Sequence, residues 1–110
     1  MSIVEIRLAD FSRAPGVRPG ARHRPGSLAS AKIFREEYVI PAIGAFGRVR
    51  VCLDGVAGLL GAFLDEVFGG LVQHFGWKTL KQAMHHVQVV AHSNPGWKIE
   101  AECCMECALL

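Results

Sequence analysis

Four cysteines and five histidines are the residues of this 110-residue chain whose types could do chemistry. Cys104 and Cys107 form a CxxC, and His85, His86 and His92 lie upstream, so a zinc site is the first possibility to weigh. The spacing argues against it: there is one such pair and no second, and Cys104 falls on the inner side of its helix. A redox pair of the thioredoxin type sits at the N-terminal start of a helix, where the dipole lowers the thiol pKa. This pair lies near a helix C-terminus instead. The cysteines therefore read as small hydrophobes, and neither a metal nor a cofactor is expected.

The remaining routes to catalysis fare no better. Asp65 and Glu66 are adjacent, so on a helix they diverge by about 100° and cannot serve one substrate atom as acid and base. No serine or threonine lies between Ser30 and Lys78, which leaves the segment ahead of that helix without a hydroxyl nucleophile. The string "GVAGLLG", residues 55–61, has spaced glycines before a helix but lacks the Gly-Lys-Ser/Thr ending of a phosphate-binding loop. A non-enzymatic protein is expected. Residues 11–27, "FSRAPGVRPGARHRPGS", hold three prolines, three glycines, four arginines and no acid. They read as a loop at about 11–27, with a short strand near residues 17 to 24 as a further expectation. Arg13, Arg18, Arg22 and Arg24 are either a solvated basic surface or a contact for an anion or a second partner, since arginine forks suit phosphate and carboxylate.

The elements that would position these residues emerge from periodicity. "IVEIRL", "RVRVCL" and "HVQVVAH" alternate as strands with one wet face: Val4, Ile6 and Leu8, then Val49, Val51 and Leu53, then Val87, Val89 and Ala91 point inward. Half-polar strands exclude a sheet covered on both faces, so helices should cover one face, and Glu5 should pair with Arg48 or Arg50 across strands. A first helix runs from Ser27 or Ser30 to Phe46, stopped by Gly47 and kinked at Pro41, with Ile33, Phe34, Ile40 and Ile43 buried. A second begins near Ala62 and buries Phe63, Leu64, Val67, Phe68, Leu71 and Phe75. Its other side carries Asp65, Glu66, Gly69 and Gln73, the two acids in the first turn where the dipole favours them; Gly76 ends it. A last helix starts at "NPGW", with Asn94 as N-cap. Trp97, Ala101, Cys104, Met105 and Ala108 face inward, while Ile99, Cys103 and Leu110 beside Glu106 form a thin second stripe, a candidate homodimer contact. One domain over 1–110 is implied by length, and 51% hydrophobic against 20% charged residues excludes disorder. A net charge of +2 is too small to argue for nucleic acid or an anionic membrane. No apolar run reaches the roughly 20 residues of a membrane span, the N-terminus lacks a signal-peptide core, and a cytosolic location is expected.

The strand "RVRVCLDGVAG", the loop after it and the helix "AFLDEVFGGLV", with "FREEYVIPAI" and "FSRAPG" upstream, resemble the STAS-like domain family of unknown function, bacterial relatives of sulphate-transporter and anti-sigma-factor-antagonist domains. The resemblance spans roughly residues 11 to 92 and is most specific at Phe63, Leu64, Asp65, Glu66, Phe68, Gly69 and Gly70. It implies an α/β fold, a small mixed β-sheet with helices packed mainly on one face. It also implies a regulatory or adaptor role, docking through the strand-to-helix loop and second helix onto a partner such as a histidine-kinase-like ATPase. Phosphorylation-switched antagonists carry a serine ahead of that helix; here Leu60, Gly61 and Ala62 stand there, so no phosphoserine switch is expected. The expected docking residues are Gly58, Gly61, Ala62, Asp65, Glu66, Gly69 and Gln73.

Two adjacent glycines inside a helix need a reason, since each costs about 1 kcal/mol relative to alanine. Gly70 lies at the edge of the buried stripe, where it can admit another element. Gly69 is expected on the outer face, where it would either admit a partner's backbone, so that a leucine there would spare folding and abolish binding, or serve packing alone. The rivals to docking are an anion- or nucleotide-binding sensor, using the loop arginines and the helix N-terminus near Ala62, and a cysteine or metal enzyme built on residues 103 to 107.

Overall fold

A computed structural model describes residues 3–12, 28–55 and 61–109. Three strands, β1 (Val4–Arg7), β2 (Val49–Cys52) and β3 (Val87–Val90), form one sheet in the order β1-β2-β3. Both pairings are parallel, with Ile6 opposite Val51 and Val51 opposite Val89. Two expected inward sets hold fully: Val49, Val51 and Leu53 are buried completely, and Val87, Val89 and Ala91 nearly so; of the first set, Val4 and Ile6 are half-buried, and Leu8 is buried but belongs to a helix. The outer face carries Glu5, Arg7, Arg50 and Gln88, and Glu5 meets Arg50 at 4.0 Å. Arg48 takes a different partner, donating from Nε to the His85 carbonyl at 2.8 Å.

The fold is α/β, but the sheet over the described residues is parallel where a mixed one was expected. The strand expected near residues 17 to 24 lies outside the described residues. A parallel sheet whose strands run in chain order, joined by right-handed crossovers, puts both helical connections on one face. That leaves the other face wet, in line with the strand alternation.

After the short α1 (Leu8–Ser12), the first long helix is continuous over residues 28–46, but its middle is wide. A π-helical turn, Phe34–Val39, separates α2 (Leu28–Ile33) from α3 (Ile40–Phe46). Pro41 explains the position, because its ring would collide with the carbonyl four residues back in a regular helix. The chain widens so that the Ile40 N–H bonds Arg35, five residues back. The wide turn also shifts the helix's buried face: Phe34 and Val39 are fully buried, while Ile33 and Ile40 are only half-buried. Gly47 ends the run with φ +80°, and its N–H bonds the Ile43 carbonyl at 2.8 Å.

The second long helix, residues 61–75, repeats the device: α4 (Gly61–Leu64), a π turn (Asp65–Gly69) and α5 (Gly70–Phe75). Its described part starts at Gly61, one residue ahead of the expected start, which puts Asp65 and Glu66 at its fifth and sixth described positions. The expected core residues Phe63, Leu64, Val67, Phe68 and Leu71 are at most 1% exposed. Gly76 stops it at φ +68°.

Two elements had no counterpart in the sequence pattern: the short α1, and α6 (Leu80–His86), N-capped by Thr79, whose Oγ1 accepts the Gln82 N–H at 3.1 Å. α6 runs directly into β3. Next comes α7 (Pro95–Ala108), with Asn94 at the N-cap position but no side-chain capping bond. Ala101 and Met105 are buried to completion under it, while Ile99 and Cys103 face solvent. Among the described residues, no helix is long and apolar enough to cross a membrane.

Candidate functional site

The two π turns face each other across a groove of about 530 Å³, open to solvent. Arg35 and Glu36 come from the first, Asp65, Glu66 and Gly69 from the second, joined by Gly70, Gln73 and His74; α7 closes the side with Cys107 and Ala108. Arg35 is the pivot. Its side chain is 12% exposed, and Nη1 donates both to the Glu66 backbone carbonyl and to Glu66 Oε1, the latter at 3.1 Å, while Nη2 meets Glu36 Oε2 at 3.3 Å. A wide helical turn loosens the regular ladder and leaves carbonyls open to outside donors. The guanidinium takes that role.

Gly70 is the reason the guanidinium can lie there. A Cβ at this position would stand 2.7 Å from Arg35 Cζ and 3.0 Å from Cδ, too close for either to stay. The expectation that Gly70 admits another element therefore holds, and the element is the first long helix.

Gly69 departs from its expected place. It is buried rather than bare, because α7 crosses it: a Cβ there would lie 3.6 Å from the Cys104 carbonyl oxygen and 3.7 Å from Ala108 Cβ. The outer side of a helix, read from its own stripe alone, is still inner to a second neighbour. Gly69 is a buried part of the groove's floor, packed against α7 and not a bare patch on the surface.

Of the other expected docking residues, Asp65 and Gln73 are exposed and Glu66 half-buried, and the groove brings these three together. Gly61 and Ala62 are not part of it. Gly61 lies under α7, where a Cβ would stand 2.5 Å from Glu100 Oε1. The chain's own carboxylate thus occupies the start of the second helix, the place an anion sensor would keep for its ligand. Gly58, Arg13, Arg18, Arg22 and Arg24 lie outside the described residues. Arg35, Glu36 and His74 were missed, and Cys107 was weighed only as a thiol or metal ligand; the charged run "REE" before Pro41 was the signal for the first two.

The other chemical candidates resolve into structural roles. Burial pushes the Cys104 thiol up to about 11, helped by the charges of Asp65 and Glu100. A thiol so placed is a poor nucleophile at neutral pH. Asp54, after β2, accepts the Ser93 N–H at 2.8 Å and the Ser93 hydroxyl at 3.0 Å, and the backbone bond first, then the hydroxyl, holds its carboxyl below the usual value. It ties the turn after β2 to the turn after β3. His86 stacks on Trp77 at 5.3 Å and bonds the Gly47 carbonyl through Nδ1 at 2.7 Å. Among the described residues, no group of three His, Cys, Asp or Glu side chains is placed to hold a metal ion.

Comparison with known proteins agrees with this architecture. A family model described as a STAS-like domain of unknown function matches residues 30–93, from the first long helix through β3. No curated protein and no solved structure matches the chain. The chain belongs to this STAS-like family.

Proposed function

From that membership, we propose that the chain is a non-enzymatic regulatory or adaptor domain that docks onto a partner protein through the groove between its two π turns. The observation that carries the reading is the gathering of Asp65, Glu66 and Gln73 on one open rim, from a helix whose opposite side is wholly buried. Mid-helix π turns are costly and recur at functional positions; here two of them share one groove. The rim is acidic beyond what Arg35 offsets, with Glu36, Asp65 and Glu66 around one guanidinium. A kinase-like ATPase is the partner class that the STAS resemblance implies. The anion-sensor reading is weakened by Glu100, which already lies against the start of the second helix.

Photo-crosslinking in the native host tests this. A photoreactive side chain at Gln73 should trap one partner species, lost when Asp65→Lys and Glu66→Lys are added. The same group at Gln88, on the outer face of the sheet, should not trap it. Equal capture from both positions, or no capture from Gln73, would overturn the docking groove.

A further inference from the structure

Away from the groove, α6 and α7 expose faces of opposite chemistry. Between Glu66 and Glu100 the sequence holds no acid at all. On α6, which lies inside that stretch, Lys81, Met84 and His85 are exposed and Leu80 half-buried, beside a shallow hollow running from Thr79 to His86. Lys78 stands just ahead, and Arg48 is drawn to its end by the bond to the His85 carbonyl. This is a methionine-centred patch with a cationic rim. On α7 the outer stripe is its counterpart: Ile99 is 63% exposed, Cys103 is exposed, and Glu102 and Glu106 flank them. The two helices pack against each other, so the two faces are neighbours on one molecule.

We propose that the occupant of the α6 patch is α7 of a second copy of this chain, in a reciprocal two-fold dimer. An isologous interface requires a patch complementary to itself. A cationic strip holding Met84 beside an acidic strip holding Ile99 meets that requirement, because a two-fold axis between them sets each against the other. Its contacts join exposed charged rims, which salt screens, so the dimer is salt-sensitive.

Sedimentation of the full chain tests this. At about 100 µM and about 50 mM salt the mass should approach two chains, returning to one near about 500 mM, where the screening length falls to a few ångström. Lys78→Glu with Lys81→Glu in one chain, and Glu102→Lys with Glu106→Lys in another, should each be monomeric with an unchanged circular dichroism spectrum. Their equimolar mixture should dimerise at least about tenfold more tightly than either alone, because every reversed contact then finds its opposite. A wild-type mass of one chain at low salt, a dimer indifferent to both variants, or a mixture no tighter than its components would each overturn the proposal.

Discussion

The second long helix is approached from two sides, and the two approaches differ in kind. On the α7 side, a Cβ at Gly69 would meet the Asp65 carboxylate at 3.1 Å, the Cys104 carbonyl at 3.6 Å and the Ala108 methyl at 3.7 Å, a close approach of two helices. On the side of the first long helix, its neighbour Gly70 lies beneath a guanidinium with both carboxylate and carbonyl partners. The same residue type thus serves a rigid seal in one place and a polar clasp in the next. Backbone cannot yield to an added side chain, whereas the end of an arginine can swing away. The two glycines should therefore respond very differently to substitution.

Gly69→Leu should have the largest effect. A Cβ would meet α7 at ordinary contact distance, so the rest of the leucine must press on the Cys104 carbonyl and Ala108; overpacking of this sort costs about 3 kcal/mol, enough to lower Tm by roughly 10 °C in a domain of this size. Thermal denaturation monitored by circular dichroism checks it. A leucine variant as stable as wild type would mean that α7 does not seal this helix.

These positions also mark how far the sequence alone reaches. Val49, Val51, Val87 and Val89 were legible because strand alternation is local, and Gly47 and Gly76 because a left-handed stop needs no tertiary information. The buried stripe of the second helix was legible for the same reason. Gly69 was not, since a helical wheel separates a helix's main stripe from the rest but cannot say which distant segment covers the remainder. α6 was missed because seven residues, with Leu80 and Ala83 as their inward pair, give too short a period to register. Its Thr79 cap was the available cue. Arg35 drew no reading of its own, because nothing local indicates that a wide turn 31 residues later offers it a carbonyl.

The clasp should give a smaller effect with a change of sign. Arg35→Ala should cost about 1 to 2 kcal/mol, the loss of a largely buried charged donor from the Glu66 carbonyl. Gly70→Ala in the wild type should cost up to about 1 kcal/mol, because expelling the guanidinium outweighs the gain in helix propensity. In the Arg35→Ala background the same change should stabilise by up to about 1 kcal/mol, since the side chain that supplies the three atoms nearest the new methyl is gone. Urea denaturation of the four proteins closes the cycle. Additive effects would show that Gly70 and Arg35 do not depend on each other.

The mildest probe leaves folding untouched and asks only how dry the seal is. Cys104 lies at the seal, next to Asp65 and Glu100, and its thiol is raised to about 11, while Cys103 and Cys107 on the same helix are exposed. The thiolate is the species that alkylates, so at about pH 8 iodoacetamide should label Cys103 and Cys107 first and Cys104 at least about tenfold more slowly, as read by peptide mass spectrometry. The same shift sets the sign for stability. A thiol raised in the folded state stabilises fully below its unfolded value near 9, and that contribution fades as pH climbs toward about 11. Cys104→Ala should therefore flatten the alkaline end of the stability curve. If Cys104 is instead labelled as fast as its neighbours, α7 is lifting from the second helix, and the contrast between a rigid seal and a yielding clasp fails on the side where it was strongest.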